Sequence, residues 1–424
     1  MAQQLTPAGY RPRVVDAEME ASLAAAPAVL IEGPRACGKT WTGKRFARSE
    51  VLLDARASSL LASNLDPAPV LEGPTPRLLD EWQLAPEIWN PMRRACDDRG
   101  EAGQFILTGS ANPPDDITRH SGAGRVLRVR MRPMSLLESG LSDGSISLDG
   151  LFEPGRCSAP DRGLSLDDVM EAACRGGWPQ LLNADLATAL RATRGYLDEI
   201  SRTDVSRVDG VARNPAGVRK LLASLGRNIS TEASFATLAN DTADEQGAIE
   251  RRTVSSYMAA LERLFVIEDL RAWKPHLTSR AQLRNAPKRH FADPSLAVAA
   301  LETNLESVMR NRSFVGLLFE SLVVRDLRVY GQANSLDLSH YRDSDGLEVD
   351  VIVKHPDGRW VAAEVKLGSE QGIEEGVRSL RRLQDRVDPD RSGTPSRLAI
   401  ITAGGYGFEH PDGVSVIPIT ALAP

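Results

Sequence analysis

The residues that most directly suggest chemistry form one short run near the amino terminus. Residues 33–40 read Gly-Pro-Arg-Ala-Cys-Gly-Lys-Thr, which is the pattern GxxxxGK[ST]. Glycines here let backbone N–H groups turn toward phosphate oxygens, the lysine faces the β- and γ-phosphates, and the threonine hydroxyl serves Mg²⁺. We therefore expect ATP and Mg²⁺ to bind at this run. The predicted nucleotide contacts are Gly33, Pro34, Arg35, Ala36, Cys37, Gly38, Lys39, Thr40 and Trp41.

An acidic pair that suits ATP hydrolysis follows forty residues after Thr40. Asp80 and Glu81 end the run Arg-Leu-Leu-Asp-Glu. A carboxylate at the end of a buried strand holds magnesium, commonly through water, and a glutamate beside it polarises the attacking water. Asp80 is thus a predicted magnesium ligand and Glu81 the predicted catalytic base, while Lys39 stabilises the transferred phosphate. The alternative interpretation is an acidic strand end that caps a helix.

Three more residues are candidates for the same site. Thr108 and Ser110 follow the apolar run Phe-Ile-Leu, where they would sense the γ-phosphate. Strand ends are also polar for ordinary reasons, so that alternative stays open. Arg125 precedes another strand-like run and would reach a neighbouring subunit's nucleotide as an arginine finger, or it is a solvated loop arginine. Arg119, Arg128, Arg130 and Arg132 lie nearby as competitors for the role.

Short apolar runs separated by helix-length spacers must position these residues. Such spacing is typical of a parallel sheet flanked by helices, so we predict an α/β P-loop domain over residues 1–150. From residue 166 the apolar spacing becomes helical, and residues 215–270 resemble a small winged-helix bundle. The apolar runs lie at 28–31, 51–53, 77–80, 105–108 and 126–129.

A second group of charged residues lies near the carboxyl terminus. Asp350 is followed by Glu364-Val-Lys366, the form of the PD-(D/E)xK nuclease motif. Residues i and i+2 of a strand share a face, so Glu364 and Lys366 project together and Asp350 faces them from the preceding strand. The carboxylates would hold Mg²⁺ and the lysine would orient water. Glu348 is an alternative partner, and cross-strand ion pairs explain the same residues without a metal.

Taken together, these runs resemble bacterial and archaeal AAA-type ATPases that carry a carboxyl-terminal domain with a restriction-endonuclease-like core. The resemblance implies an ATPase domain, a helical and winged-helix-like domain over 151–300, and an endonuclease-like α/β domain over 301–424. It also implies that Glu320, which matches the family's upstream acid, completes the metal ligands. The resemblance rests on residues 32–40, 79–82, 107–110, 176–179, 196–199, 288–294 and 314–320.

Composition limits the classes of partner and the cellular compartment that we expect for this protein. The chain has 424 residues and a net charge of −6. It therefore has no chain-wide basic surface of the kind that binds nucleic acid. No apolar run approaches the ~20 residues that span a bilayer, and the start lacks a secretory signal. The four cysteines are far apart, which indicates reduced thiols in a cytoplasm.

Three hypotheses about function follow. The first is an ATPase that drives or gates its carboxyl-terminal module, in a homo-oligomer if Arg125 acts on a neighbour. The second is an ATP-regulated, metal-dependent DNA nuclease. The third is a nucleotide-switched protein that binds DNA or a protein partner without cleavage, with Arg251 and Arg252 facing DNA phosphates or packing a lid helix.

Overall fold

A computed structural model describes residues 4–53, 66–111, 122–243, 247–273 and 286–424. The chain divides into two compact units that are interleaved in sequence. The first comprises Met1–Pro133, Asp204–Ala212 and Ala260–Val266, and the second comprises the remainder. The predicted boundaries at 150/151 and 300/301 do not coincide with these units. Arg119 lies outside the described residues.

The first unit contains a five-stranded sheet in the order β2-β3-β4-β1-β5, and every neighbouring pair is parallel. This confirms the prediction of a parallel sheet with flanking helices. The strands are β1 (Ala28–Glu32), β2 (Ser49–Leu52), β3 (Arg77–Asp80), β4 (Phe105–Gly109) and β5 (Val126–Arg130). The helices are α1 (Asp16–Ala25), α2 (Lys39–Phe46), α3 (Ala68–Leu71) and α4 (Trp89–Arg99).

Both faces of the sheet are buried at the central strands β1 and β4, which explains why these two strands are largely apolar. Along β1, Leu30 packs in one cluster with Leu79 and Met92 of α4. Its neighbour Ile31 packs in the opposite cluster with Met19 of α1. Successive side chains of a strand point to opposite faces, so each strand supplies both cores.

The second unit begins with short helices and continues into a helical region. Helix α7 runs without a break into a π-helical turn at Ile200–Asp204. The described residues 215–243 and 247–270 form helices and no strand. The winged-helix assignment therefore stays a prediction. The helices along this part of the chain are α5 (Leu136–Ser139), α6 (Leu166–Arg175), α7 (Leu186–Glu199), α8 (Val205–Arg207), α9 (Pro215–Arg227), α10 (Phe235–Asn240), α11 (Arg251–Arg263), α12 (Ser295–Ala300) and α13 (Leu305–Arg310). Of these, α8 and the carboxyl end of α11 belong to the first unit.

A six-stranded mixed sheet in the order β11-β12-β10-β9-β8-β7 follows. Strands β7 to β9 lie between α14 (Arg312–Ala333) and α15 (Glu370–Arg386) in the chain, and β10 to β12 come after α15. The pairs β7–β8 and β8–β9 are antiparallel, while β9–β10 and β10–β12 are parallel. The remaining elements are β6 (Ile146–Ser147), β7 (Asp337–Arg342), β8 (Glu348–Lys354), β9 (Trp360–Lys366), α16 (Pro389–Ser392), β10 (Arg397–Thr402), β11 (Phe408–Glu409), β12 (Ser415–Pro418) and β13 (Leu422–Ala423). In the described ranges, no helix is both long and apolar enough to span a lipid bilayer.

The Gly-Gly-Trp-Pro run at 176–179 is tied to a buried ion network. The Gly177 amide donates to Asp293 Oδ2 at 3.0 Å, and Arg325 Nη1 donates to the same oxygen at 2.9 Å. Arg325 also binds Asp326, which accepts the Leu136 amide at 2.9 Å. The run therefore connects helix α14 with the start of the second unit.

Candidate nucleotide site

The run 33–40 forms a loop between β1 and the start of α2. A Cβ on Gly33 would lie 2.0 Å from the Met131 carbonyl oxygen, so only glycine fits there. Gly38 has φ 107°, a left-handed value that glycine adopts without strain. No side chain caps the amino terminus of α2, which leaves its first N–H groups for an anion.

Hydrogen bonds to the loop and to Asp80 hold the side chains of Lys39 and Thr40. Lys39 is 5% exposed, and its Nζ donates to the carbonyl oxygens of Gly33 at 3.0 Å and Pro34 at 2.7 Å. The ammonium thus lies within the loop. The Thr40 hydroxyl donates to Asp80 Oδ1 at 2.9 Å, so the two predicted magnesium ligands are adjacent.

Strand order explains why Thr108 joins this pair. Strand β4 lies between β1 and β3, so its carboxyl end lies between the loop and the acidic pair. The Thr108 hydroxyl donates to Asp80 Oδ1 at 2.5 Å and accepts the Glu81 amide at 3.0 Å. One carboxylate oxygen therefore accepts hydrogen bonds from hydroxyl groups at the start of α2 and at the end of β4.

Glu81 lies just beyond β3 with φ 57°, a left-handed conformation that costs a residue with a side chain some strain. Its Oε2 accepts the Ser110 hydroxyl at 3.0 Å and also accepts a short hydrogen bond from Gln83 Nε2. Both donors converge on one oxygen. Glu81 and Ser110, which were both candidates from the sequence, are therefore in direct contact. Gln83 belongs to the same group, and the sequence argument missed it.

Two further partners of the loop were also missed by sequence reasoning. The buried Arg13 donates to the carbonyl oxygens of Cys37 at 2.9 Å and Arg132 at 2.8 Å, so it supports the loop from behind. Arg35 forms an ion pair with Asp204 at 2.9 Å, within the first unit. Asp204 is 164 positions beyond Thr40, and no local pattern marks it.

Arg125 lies away from the nucleotide loop of its own chain. It precedes β5, and Val126 pairs with Ala28 at the amino end of β1, whereas the loop follows the carboxyl end. Its Nε pairs with Asp97 at 2.8 Å. Action on a neighbouring subunit's nucleotide stays a prediction.

The donor set suits ATP and Mg²⁺. A hydroxyl and a carboxylate are the oxygen ligands that Mg²⁺ prefers, and the loop offers backbone N–H groups and a lysine to phosphate. Trp41 follows Thr40 and is 47% exposed.

Residues 25–139 match the family model described as an AAA domain. This range of the chain is similar to AAA domains, and we call it the AAA domain. Residues 166–307 and 315–422 match two domains of unknown function, DUF8612 and DUF4143. The match agrees with an AAA-type, ATP-binding P-loop protein, and it covers the nucleotide loop, the acidic pair and β4.

Relatives and solved structures extend over more of the chain than the AAA domain. Uncharacterized proteins of Mycobacterium tuberculosis (Rv2008c) and Mycobacterium bovis (Mb2031c) are each 26% identical over 407 residues, covering 95% of this chain and 82% of theirs. The Walker-type ATPase PABY2304 of Pyrococcus abyssi is similar at TM-score 0.38 and 15% identity, over 67% of this chain and 94% of that one. The replication initiator DnaA bound to AMPPCP and single-stranded DNA gives TM-score 0.26 at 15% identity, over 59% and 86%.

Outside the AAA domain, the predicted nuclease-like residues surround a buried lysine. Lys288 Nζ lies 2.7 Å from Glu320 Oε1, 2.9 Å from Glu348 Oε1 and 3.0 Å from Asp350 Oδ1. The structure thus brings together Glu320 and Asp350 and includes Glu348, which was the alternative partner. Sequence reasoning did not assign Lys288 to this group, although it lies in the run 288–294.

Glu364 and Lys366 form a neighbouring pair. Lys366 Nζ lies 2.9 Å from Glu364 Oε2, and the Ser379 hydroxyl donates to Glu364 Oε1 at 2.6 Å. Asp350 faces the same strand and accepts the Val365 amide at 2.9 Å. Among the described residues, no group of three or more His, Cys, Asp and Glu side chains has the arrangement of a metal site.

Electrostatics in this cluster follow from burial and from the crowding of charges. Burial lowers the pKa of Lys288, but Asp350, Glu320 and Glu348 outweigh it, so the net pKa is raised and the ammonium stays charged. Burial raises the pKa of Glu364 to about 8, and Asp350 adds to that rise while Lys366 opposes it. The folded protein therefore favours the protonated form of Glu364 more than the unfolded chain does.

Proposed function

We propose that this protein is a Mg²⁺-dependent ATPase that hydrolyses ATP in its AAA domain. The observation that carries the proposal is the convergence on Asp80, whose Oδ1 accepts hydrogen bonds from both Thr40 and Thr108. This convergence joins the phosphate loop, the acidic pair and the end of β4 at one point.

Different residues of the site bind the phosphates and the magnesium ion. Backbone N–H groups of the loop and the Lys39 ammonium hold the β- and γ-phosphates, while Thr40 and Asp80 hold magnesium. Bound Mg²⁺ neutralises charge on the phosphates and so favours attack by water. Lys39 already lies in the loop, so little reorganisation is needed to bind phosphate.

Glu81 serves as the residue that orients and polarises the attacking water. Gln83 and Ser110 both bind its Oε2, which leaves Oε1 for a water molecule. The left-handed backbone at Glu81 is the kind of strained conformation that clusters at functional sites.

We also propose that hydrolysis drives or gates the carboxyl-terminal module, and two features support this. Strand β5 ends at Arg130, and only three residues separate it from Met134, whose amide donates to the Gly177 carbonyl oxygen. Asp326 of α14 holds the Leu136 amide. Hydrogen exchange at residues 134–139 should then differ between ATP-bound and ADP-bound protein, and equal exchange would speak against this coupling.

The location that fits best is the cytoplasm. Cys37, Cys96, Cys157 and Cys174 are all free and buried. Free thiols persist in a reducing compartment.

The experiment that tests the ATPase proposal compares Glu81→Gln with Lys39→Ala. Glu81→Gln should bind ATP·Mg²⁺ like wild type but release no phosphate, because the base is lost and the binding groups remain. Lys39→Ala should lose both binding and turnover. Turnover by Glu81→Gln at the wild-type rate would remove Glu81 from the mechanism. ATP binding without turnover in the wild type would leave a nucleotide-switched binding protein.

A further inference from the structure

The ammonium of Lys288 donates hydrogen bonds to Glu320 and Asp350 and forms an ion pair with Glu348. A lysine ammonium has three donors, and three carboxylate oxygens lie within 3.0 Å of this one. The side chain is 1% exposed, so water does not compete for these donors. One cation thus lies at the centre of three acids.

The cluster is held by regular elements. The Lys288 and Leu270 backbones exchange two hydrogen bonds of 2.9 Å, which fixes the lysine's backbone. Glu320 lies on α14, and Glu348 and Asp350 lie on β8. These three carboxylates are therefore positioned by a helix and a strand and do not depend on a loop.

Breaking such a cluster is costly because charges without partners are left inside the protein. A divalent ion at the same point would have to displace the ammonium and leave it buried among the ion's own ligands. The Glu364–Lys366 pair lies next to Asp350 and adds a second cation on that side. The two ammonium groups therefore already balance part of the negative charge to which a metal ion would bind.

We propose that the Lys288 ammonium takes the place of a divalent metal ion in the Glu320–Glu348–Asp350 cluster, so that the second unit holds these carboxylates without metal. This inference is independent of the ATPase proposal. It makes the cluster a structural connection among three parts of the second unit, in contrast to the predicted nuclease-like metal site. Removal of the ammonium should convert the cluster into a site for a hard divalent cation such as Mn²⁺.

The test measures Mn²⁺ binding to the full chain without nucleotide, by electron paramagnetic resonance and by thermal shift. Asp350→Asn should bind as much Mn²⁺ as wild type does, because the wild-type cluster holds none. Lys288→Ala should gain one Mn²⁺ per chain and a Mn²⁺-dependent rise in Tm, and Lys288→Ala/Asp350→Asn should lose both. Lys366→Ala is the matched control, since it removes a neighbouring lysine and leaves Lys288 in place, and it should behave like wild type.

A second measurement on the wild type decides the matter if Lys288→Ala does not fold. Amine acylation read by mass spectrometry should modify Lys366, which is 28% exposed, and spare Lys288, with or without Mn²⁺. Acylation of Lys288 that appears only with Mn²⁺ would show that metal displaces the lysine and would overturn the proposal. An ion bound to wild type and lost in Asp350→Asn, or a folded Lys288→Ala that binds none, would overturn it equally.

Discussion

At the scale of single residues, Thr108 connects the two acids of the AAA domain. Its hydroxyl donates to Asp80 and accepts the amide of Glu81, so one oxygen atom sets the position of both. The side chain is fully buried, and water does not replace these bonds when they are lost.

Thr108→Val should therefore impair hydrolysis and stability together. Valine has the shape of threonine but leaves the buried Glu81 amide without its acceptor, at a cost of about 1–3 kcal/mol. We expect a lower kcat for phosphate release and a lower urea midpoint. Thr108→Ser, which keeps the hydroxyl, should restore most of the kcat. A valine variant with wild-type kcat would contradict the role given to this hydroxyl.

Gln83 is a positioning residue for Glu81. Gln83→Ala removes one of the two donors to Glu81 Oε2, and a hydrogen bond to a charged group is worth ~1.5–3 kcal/mol. We expect kcat to fall about tenfold or more, because 1.36 kcal/mol corresponds to a factor of ten, while ATP affinity stays unchanged. Steady-state phosphate release and ATP titration separate the two. A change in affinity alone would assign Gln83 to nucleotide binding.

At the scale of elements, the contact between β9 and α15 in the second unit includes a titratable group, the carboxyl of Glu364. Glu364 on β9 is bonded to Ser379 on α15, and its pKa is raised to about 8 because it is buried beside Asp350. The unfolded chain releases this proton near the ordinary glutamate value. Between those two values the folded state binds more protons than the unfolded state, so the free energy of unfolding falls as pH rises.

Glu364→Gln should remove that slope. Glutamine stays neutral and keeps an oxygen for the Ser379 hydroxyl, although it loses the Lys366 ion pair. The free energy of unfolding of wild type should drop by on the order of a few kcal/mol between pH 5 and pH 9, and that of the variant should drop less. Urea unfolding across this range measures it, with the exposed Glu375→Gln as control. Parallel curves for wild type and Glu364→Gln would refute the assignment.

The elements of the AAA domain were predictable from the sequence, and the lysine-centred cluster was not. Strand β3 coincides with the predicted run 77–80, because its apolar residues face cores on both sides of the sheet. Lys288 meets acids 32 and 62 positions later in the chain. Such contacts depend on how α14 and β8 pack, and no local spacing reveals them. Gln83 would have been easier to find from the sequence, because it lies only two residues beyond Glu81.

At the scale of the whole molecule, the first unit is discontinuous. Segments Asp204–Ala212 and Ala260–Val266 return to it after long excursions through the second unit. They bring Asp204 to Arg35 and the Phe265 ring to within 3.9 Å of the Arg130 guanidinium. The predicted domain of residues 1–150 missed both segments because they are short and far away in sequence.

A fragment of residues 1–150 should therefore be much less stable than the full chain. Loss of a buried phenylalanine alone costs roughly 3–5 kcal/mol, a large part of the ~5–15 kcal/mol that holds a typical protein folded. Circular dichroism during urea unfolding should show a weak transition or none. In the full chain, Phe265→Ala should lower the unfolding free energy, whereas the exposed Val211→Ala should not. A fragment as stable as the full chain would show that the returning segments are dispensable.

The exposed indole of Trp41 has an optical consequence. Of the six tryptophans, Trp82, Trp89, Trp178 and Trp360 are buried, whereas Trp41 is 47% exposed and directly follows Thr40, the proposed magnesium ligand. Emission from an indole shifts when its contact with water changes, so ATP binding should alter the fluorescence of the unlabelled protein. Trp41→Phe should bind ATP yet lose this signal. The protein would then report its own nucleotide occupancy, and stopped-flow fluorescence would give the rates at which ATP enters and ADP leaves.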